Sequence, residues 1–422
     1  MSFTVGSLFD GSGGFPLSAF MCGGVPLWAS EIEPYPIAVT RSRFPHMKHI
    51  GDVVGVRGDL IEPVDVITFG SPCQDLSVAG QRKGLKHEDN GDDETTRSGL
   101  FMEAIRIIKE MREATDGVYP TFALWENVPG AFTSNRGEDF KIVLEELVKI
   151  VEPTATMPTV PKNGWPYADS YVGDGWSLAY RVFNAQYWGV PQRRVRVFAV
   201  LDLGGERARK ILFERESLRG YFEEGRTPWK RAETDNERGV ISADCERDCL
   251  VYDARGNGDG KTVNTLIGDH ENRVTDYTTI VLDRAFYNQG ENALYEPQYY
   301  VDGPVPPIVA RGPSAVIYYE EPRYIVRRLT PNECCRLQGF PDDWGVPDKK
   351  TSLTADEYHF WCDVRKTHDR INNRKTKDYT EKQILTWYNK LHTDSAEYKM
   401  WGNGIALPNA LYVMQGISDE FI

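Results

Sequence analysis

Apolar positions in the first half of the chain alternate between two spacings. Short runs at residues 3–9, 25–30, 64–69 and 122–125 are rich in β-branched and aromatic side chains and too brief for buried helices, so each predicts a strand. The run at 64–69 alternates only weakly, as expected of a strand buried on both faces in a parallel sheet, and it stops abruptly at Pro72. A further short strand is predicted just before Gly51. Helical spacing fills the intervals. Pro34 opens a helix to about Phe44, and a second runs from Arg97 to about Glu113 with Ile105, Ile108 and Met111 on one face. A third spans residues 138–148 and carries Ile142, Leu144, Leu147 and Val148. Strands alternating with helices predict an open α/β sheet. Residues 176–184 and 195–201 read as paired strands, and the proline- and glycine-rich stretch 153–175 as an irregular excursion before them.

From about Gly204 the pattern changes. Residues 204–231 are charged and helix-like, and 250–322 are glycine-punctuated and strand-like, with 281–286 and 315–319 as candidate strands. These features predict a small second domain at 204–325, between a core at 1–203 and a helical return segment at 326–422 that completes the core. In the return segment, Thr330 reads as an N-cap, Pro331 as the first helical residue, Glu333 as the other half of a capping box and Gly339 as the stop, with Cys334 and Cys335 as packing residues. Residues 355–390 are polar and partly helical in pattern. Within them, 365–390 hold eight lysines or arginines against three acids, which phosphate contacts and solvated helix faces explain equally. A second glycine-rich segment at 398–406 leads into an apolar helix at 408–414.

Composition narrows the class. With 422 residues, 41% hydrophobic and 26% charged, the chain can bury a full core. Its net charge of -13 advertises no general affinity for nucleic acid, although a local footprint would not need one. Seven cysteines without a regular framework, and no signal-like segment, predict a reducing, cytoplasmic setting. No apolar run approaches a membrane span. Cys245 and Cys249 lack the second ligand pair of a zinc site, so no metal is expected.

Candidate chemistry gathers at strand ends, where open α/β sheets bind ligands. Gly11-Ser12-Gly13-Gly14 follows the first strand as a tight turn without the lysine of a phosphate loop, which suits an adenosine ligand without a pyrophosphate. Glu31 closes the second strand, where a carboxylate can accept from a ribose diol, and Asp52 follows the third. Cys73 stands in the first turn beyond 64–69, placed as a nucleophile or as simple filling. The acidic, polar residues beyond it read as a surface loop beside that nucleophile. Glu126 is predicted at the same edge as Cys73, as a substrate-holding acid or a solvated cap. Strand alternation puts Gln192, Arg194 and Arg196 on one face, suited to a carbonyl, carboxylate or phosphate, or to an ion-pair network.

Taken in order, these pieces resemble the DNA cytosine-5 methyltransferases over residues 3–415. The most specific are Pro72-Cys73-Gln74, Glu126-Asn127-Val128 and the Gln192, Arg194, Arg196 triplet; Phe9 with Gly11, Gly13 and Gly14, then residues 328–341 and Gly402-Asn403, support them. The resemblance implies a Rossmann-like methyltransferase fold, a mixed and mostly parallel seven-stranded sheet, with a smaller target-recognition domain between the arginine motif and Arg328. It implies S-adenosylmethionine as methyl donor, with S-adenosylhomocysteine as product, and a cytosine flipped out of double-stranded DNA as substrate. Cys73 would attack cytosine C6, Glu126 would bond N3 and the exocyclic amine, and Arg194 would hold O2. Pro72, Gln74, Ser77, Arg82, Asn127, Gln192 and Arg196 would support the catalytic loop and substrate. Phe9 would stack near the adenine, Glu31 would take the ribose hydroxyls and Asp52 the adenine amine, with Ile32 and Val53 also in the cofactor site. Gly11, Gly13, Gly14, Asn403 and Gly404 would shape the rest of the cofactor site. Arg255 and the pair Thr265-Leu266 are candidates for DNA recognition. Asp10 and Gly404 depart from the family pattern, which has a small residue at the first position and a serine or threonine at the second. A phage or freestanding modification enzyme, monomeric and nucleoid-associated on DNA, is the expected setting. Methylation of tRNA cytosine and silent DNA binding remain as alternatives.

Overall fold

The computed structural model describes residues 2–71, 97–213, 263–267, 307–309, 315–320 and 323–421. Pro72, Cys73, Gln74, Ser77, Arg82 and Arg255 lie outside them, as do the expected strand at 281–286 and the pair Cys245 and Cys249. The strands of the core are β1 (Thr4–Leu8), β2 (Val25–Ser30), β3 (Lys48–His49), β4 (Val66–Phe69), β5 (Phe122–Asn127), β6 (Ala168–Gly173), β7 (Trp176–Asn184), β8 (Gln192–Arg193) and β9 (Val195–Asp202). Eight of them form one sheet in the order β3-β2-β1-β4-β5-β9-β7-β6. Pairing is parallel from β3 to β5 and antiparallel from β5 to β6. All four residues of β4 are buried, as its unbroken apolar run demands.

The sheet has one strand more than expected, and the extra one corrects the reading of 153–175 as wholly irregular. β6 pairs with β7 through a two-residue turn, Asp174-Gly175, with Gly173 opposite Trp176 and Gly175 at φ +75°. Glycine at the second turn position supplies that positive φ at no steric cost. As an edge strand with mostly part-exposed positions, β6 carries no apolar alternation to announce it.

Helices cover both faces of the sheet. α3 (Arg97–Ala114) and α4 (Glu138–Val148) bury Ile105, Ile108, Met111, Val143 and Leu147 against Ile67, Phe69 and Trp125. On the other face, α1 (Gly14–Met21), α5 (Ala208–Phe213) and the last helix, which spans Leu407–Asp419, pack on Val5, Val66 and Leu124. That last helix, α10, runs against α1, and the Ser418 hydroxyl donates to the Cys22 carbonyl at 2.9 Å.

The return segment opens as its sequence predicts. α6 (Pro331–Leu337) has the full capping box: Thr330 Oγ1 accepts from the Glu333 N–H at 3.2 Å, Glu333 Oε2 accepts from the Thr330 N–H at 2.7 Å, and Gly339 follows at φ +79°. Cys334 and Cys335 are buried. α7 (Ala355–Ile371) and α8 (Glu381–Tyr388) then form a helical hairpin seated on α2 (Pro34–Arg43) through Ile37, Ala38, Leu353, Trp361, Ile384 and Tyr388. Part of its basic run is neutralised within the fold: Arg365 pairs with Asp369 at 3.2 Å, Lys366 with Asp378 at 3.1 Å and Arg370 with Asp52 at 3.1 Å. α9 (Asp394–Asn403) absorbs most of the expected glycine-rich segment, because Thr393 caps its start and Met400 and Trp401 anchor its buried side. Beyond the core, β10 (Val263–Ile267) pairs in parallel with both β8 and β11 (Pro307–Val309), and β12 (Ala315–Glu320) pairs antiparallel with β13 (Arg323–Arg328). Among the described residues no helix is long and apolar enough to cross a membrane.

Trp361 is 1% exposed and its indole N–H has no partner. Trp361→Ala is expected to cost about 3–5 kcal/mol in urea unfolding. Trp361→Phe is expected to cost less, since it removes the unpaired donor along with part of the ring.

Candidate active site

Parallel register brings the ends of five strands to one edge. Leu8 pairs with both Ser30 and Phe69, Phe69 pairs with Trp125, and Ala29 pairs with His49. Phe9, Glu31 and Gly70 therefore leave the sheet together, each one residue beyond a paired end, with Asp52 just past β3 and Glu126 level with Gly70 on β5, where it still pairs with Phe198 of β9.

At the β1 end the chain turns sharply, with Phe9 at φ 57°, Gly11 at φ 55° and Gly13 at φ 78°. The Gly11 N–H donates to Glu31 Oε2 at 2.8 Å, while Glu31 Oε1 accepts from the N–H groups of Ile32 at 2.7 Å and Glu33 at 2.9 Å. Burial pushes the Glu31 carboxyl up, and these three donors oppose it. Asp52 Oδ1 accepts from the Val54 N–H at 3.2 Å and starts the short 3₁₀ turn Val53–Gly55, in which Val53 is buried.

The far wall of this turn comes from the C-terminal segment. The Trp344 indole N–H donates to the Ser12 carbonyl at 2.8 Å. A Cβ on Gly14 would lie 2.2 Å from Ile405 Cγ2, so only glycine lets α1 start against that segment. Gly404 is equally confined, since a Cβ there would lie 2.8 Å from Ser12 Oγ. Position 404 thus lacks the hydroxyl of the family pattern, and the Ser12 hydroxyl stands beside it. Asn403 is exposed beside it.

Asp10 is 6% exposed, and neither of its carboxyl oxygens has a hydrogen-bond partner; the same holds for Ser12 Oγ. Burial pushes the Asp10 carboxyl up to about 8, the Ser7 hydroxyl opposes this in part, and the Glu31 charge adds to it. These orphaned polar atoms, with an aromatic ring and two carboxylates at neighbouring strand ends, fit a ligand that combines a nucleoside with a polar amino-acid tail. Among the described residues no group of three or more His, Cys, Asp or Glu side chains could hold a metal ion.

Across the edge lies a second group. Arg196 Nε stands 3.1 Å from Glu126 Oε1 as a largely buried ion pair. Burial pushes the Glu126 carboxyl up, while Arg196 and then Arg194 pull it down, and the net direction is upward. Its other oxygen, Oε2, lies 3.1 Å from where a Cβ on Gly70 would be, so the carboxyl faces the end of β4. Asn127 Nδ2 donates to the Ser71 carbonyl at 3.3 Å, and the Trp125 indole N–H donates to Ser71 Oγ at 3.4 Å. The residue directly before Pro72 is therefore tied to the strand that bears Glu126.

Gln192, Arg194 and Arg196, placed on one face by alternation, are all buried but meet different partners. Arg194 lies between β8 and β9, and its Nη2 donates to the carbonyls of Gly402, at 3.3 Å, and Gly404. Gln192 is fully buried with neither amide atom paired, on the strand that pairs with β10, where Thr265 and Leu266 lie. Sequence reasoning missed Trp344 and Arg370, because both act across more than 300 residues of chain and no local motif marks them.

The raised Asp10 carboxyl has a consequence for stability. Between its ordinary value of 3.8 and about 8, the folded chain keeps a proton that the unfolded chain has lost. Stability should then fall as pH rises through that window, by up to about 1.4 kcal/mol per pH unit, and Asp10→Asn should flatten the slope in urea titrations at successive pH values.

The sequence profile of the C-5 cytosine-specific DNA methylases matches residues 3–150 and 169–359. A protein of Escherichia phage P1 described as a DNA N-6-adenine-methyltransferase is 28% identical over 94% of this chain, which spans 58% of that protein's length. The type II methyltransferase M1.ScrFI of Lactococcus lactis subsp. cremoris is 26% identical over 82% of this chain and 71% of its own. The Dnmt2 methyltransferase of S. pombe shares the fold, with a TM-score of 0.50 at 15% identity over 99% of both chains. With a Rossmann-like sheet of the methyltransferase kind and a profile match over most of its length, the chain belongs to the C-5 cytosine-specific DNA methylase family, whose methyl donor is S-adenosylmethionine.

Proposed function

We propose that the protein methylates C5 of a cytosine flipped out of double-stranded DNA at a specific sequence. The observation that carries this reading is the buried Glu126–Arg196 pair beside Gly70, on a strand tied to Ser71 and so to the start of Pro72-Cys73-Gln74. Cytosine C5 is a poor nucleophile. Addition of the Cys73 thiolate at C6 forms a C–S bond and turns C5 into an enamine-like carbon. A group that withdraws electrons at N3 and O2 eases that addition. Glu126, with its carboxyl pushed up by burial, suits a partner that gives or shares a proton at N3 while accepting from the exocyclic amine. N3 and O2 are neighbours on the ring, so the cation that reaches O2 should stand beside the acid that reaches N3. On that ground we assign O2 to Arg196, and give Arg194, first expected in that role, the task of holding the Gly402–Gly404 backbone. Bound S-adenosylmethionine supplies an electrophilic methyl group on a sulfonium. Loss of the C5 proton then lets the C6–S bond break and returns the Cys73 thiolate.

Residues 204–325 are proposed as the target-recognition domain. The parallel pairing of β10 with β8 supports this, since it joins that segment to the strand carrying Gln192. Flipping costs a few kcal/mol, which contacts from such a domain would offset. Duplex DNA is favoured over tRNA by that long segment and by the family description. The name of the phage P1 relative favours a second product, N6-methyladenine. Amine methylation needs no covalent addition to the ring, so the two readings differ in their need for Cys73.

Labelled methyl groups from S-adenosylmethionine are expected in duplex DNA and not in tRNA, and nucleoside mass spectrometry should find 5-methylcytosine. Cys73→Ala, with its circular dichroism unchanged, should reduce incorporation by more than about a thousandfold. N6-methyladenine as the sole product, or a Cys73→Ala protein that still methylates DNA, would overturn the assignment. Bisulfite sequencing of a host expressing the protein should place the modified cytosines in one sequence context.

A further inference from the structure

The profile match ends at residue 359, inside α7. The remainder of α7, α8 and the turn between them lie beyond the matched span, yet they are held against the cofactor half of the sheet. Trp361 packs on Tyr388 with ring centres 4.8 Å apart, the Arg41 guanidinium lies 4.1 Å from the centre of the Phe360 ring, and Phe360 meets His49 edge to face. This seat aims the last turn of α7 at the ends of β2 and β3. There Arg370 Nη2 donates to Asp52 Oδ2 at 3.1 Å, and His368 Nε2 stands 3.8 Å from Glu33 Oε2. Lys399, from α9, reaches Glu33 Oε1 at 3.2 Å. Both acids at this corner are thus met by basic side chains of the C-terminal segment.

We infer that Arg370 is a positioning residue for adenine, by which the added hairpin sets the selectivity of the cofactor pocket. The inference rests on the reading that Asp52 accepts from the exocyclic amine of adenine. Each carboxylate oxygen can accept two hydrogen bonds, so Val54 on one oxygen and Arg370 on the other leave an acceptor site on each. With both oxygens engaged, rotation of the carboxylate is disfavoured, and its remaining lone pairs keep a preferred direction. A base with an amine at the six-position gains from that arrangement. Hypoxanthine, with a carbonyl oxygen at the same position, meets lone pairs with lone pairs.

Calorimetric titration with S-adenosylhomocysteine and S-inosylhomocysteine tests this without turnover. The unaltered protein should prefer the adenosyl compound. Arg370→Ala should weaken adenosyl binding by about two- to fivefold, the range of an exposed ion pair, and leave inosyl binding unchanged. Arg370→Lys should recover part of the loss. If Arg370→Ala weakens both compounds equally, or neither, the inference fails while the Asp52 reading stands. If the unaltered protein binds both compounds alike, the Asp52 reading falls and takes the inference with it.

Discussion

Glu126 sits opposite Phe198 in the antiparallel pairing of β5 with β9, and Arg196 lies two residues along β9 on the same face. The acid and the guanidinium are therefore diagonal neighbours fixed by sheet register, not by loop conformation. Burial makes the pair expensive in isolation, and apolar side chains of similar size would stabilise the sheet as well or better. At this edge it sets a carboxyl pushed up by burial beside a cation, the arrangement on which the proposed chemistry at a base draws.

Around that pair the fold concentrates connections instead of apolar mass. Ser71 is bonded to Trp125 and Asn127, which carries the position of the acid into the segment bearing the cysteine. β8 is only two residues long, yet it pairs outward with β10 and leads directly into Arg194 and β9. Contacts made by β10 have a short covalent path to the guanidinium at 196.

Elements whose signals are local were legible in the sequence. The helix at Glu138–Val148 and the strand at Val25–Ser30 were readable to the residue, and the capping box at Thr330 and Glu333 is realised in full. Such signals depend on neighbours within one or two turns of chain. β6 was missed because an edge strand needs no apolar alternation, and its Asp-Gly turn lies within the stretch read as irregular. Alternation grouped Gln192, Arg194 and Arg196 on one face; all three are buried, yet their partners differ. The chain changes its pairing at Arg194, between β8 and β9, where a period of two no longer fixes direction. The contacts of Trp344 and Arg370 depend on how distant segments meet, which no window of sequence contains.

The turn after β1 is closed by residues far along the chain: Trp344 on the Ser12 carbonyl, Ile405 against Gly14, and Gly404 against the Ser12 hydroxyl. During synthesis the amino-terminal half can collapse early around its parallel strands, yet the nucleoside cleft stays unwalled until the return segment emerges. The Trp344 contact alone closes 332 residues of chain, and loop closures of that length favour slow maturation of the turn.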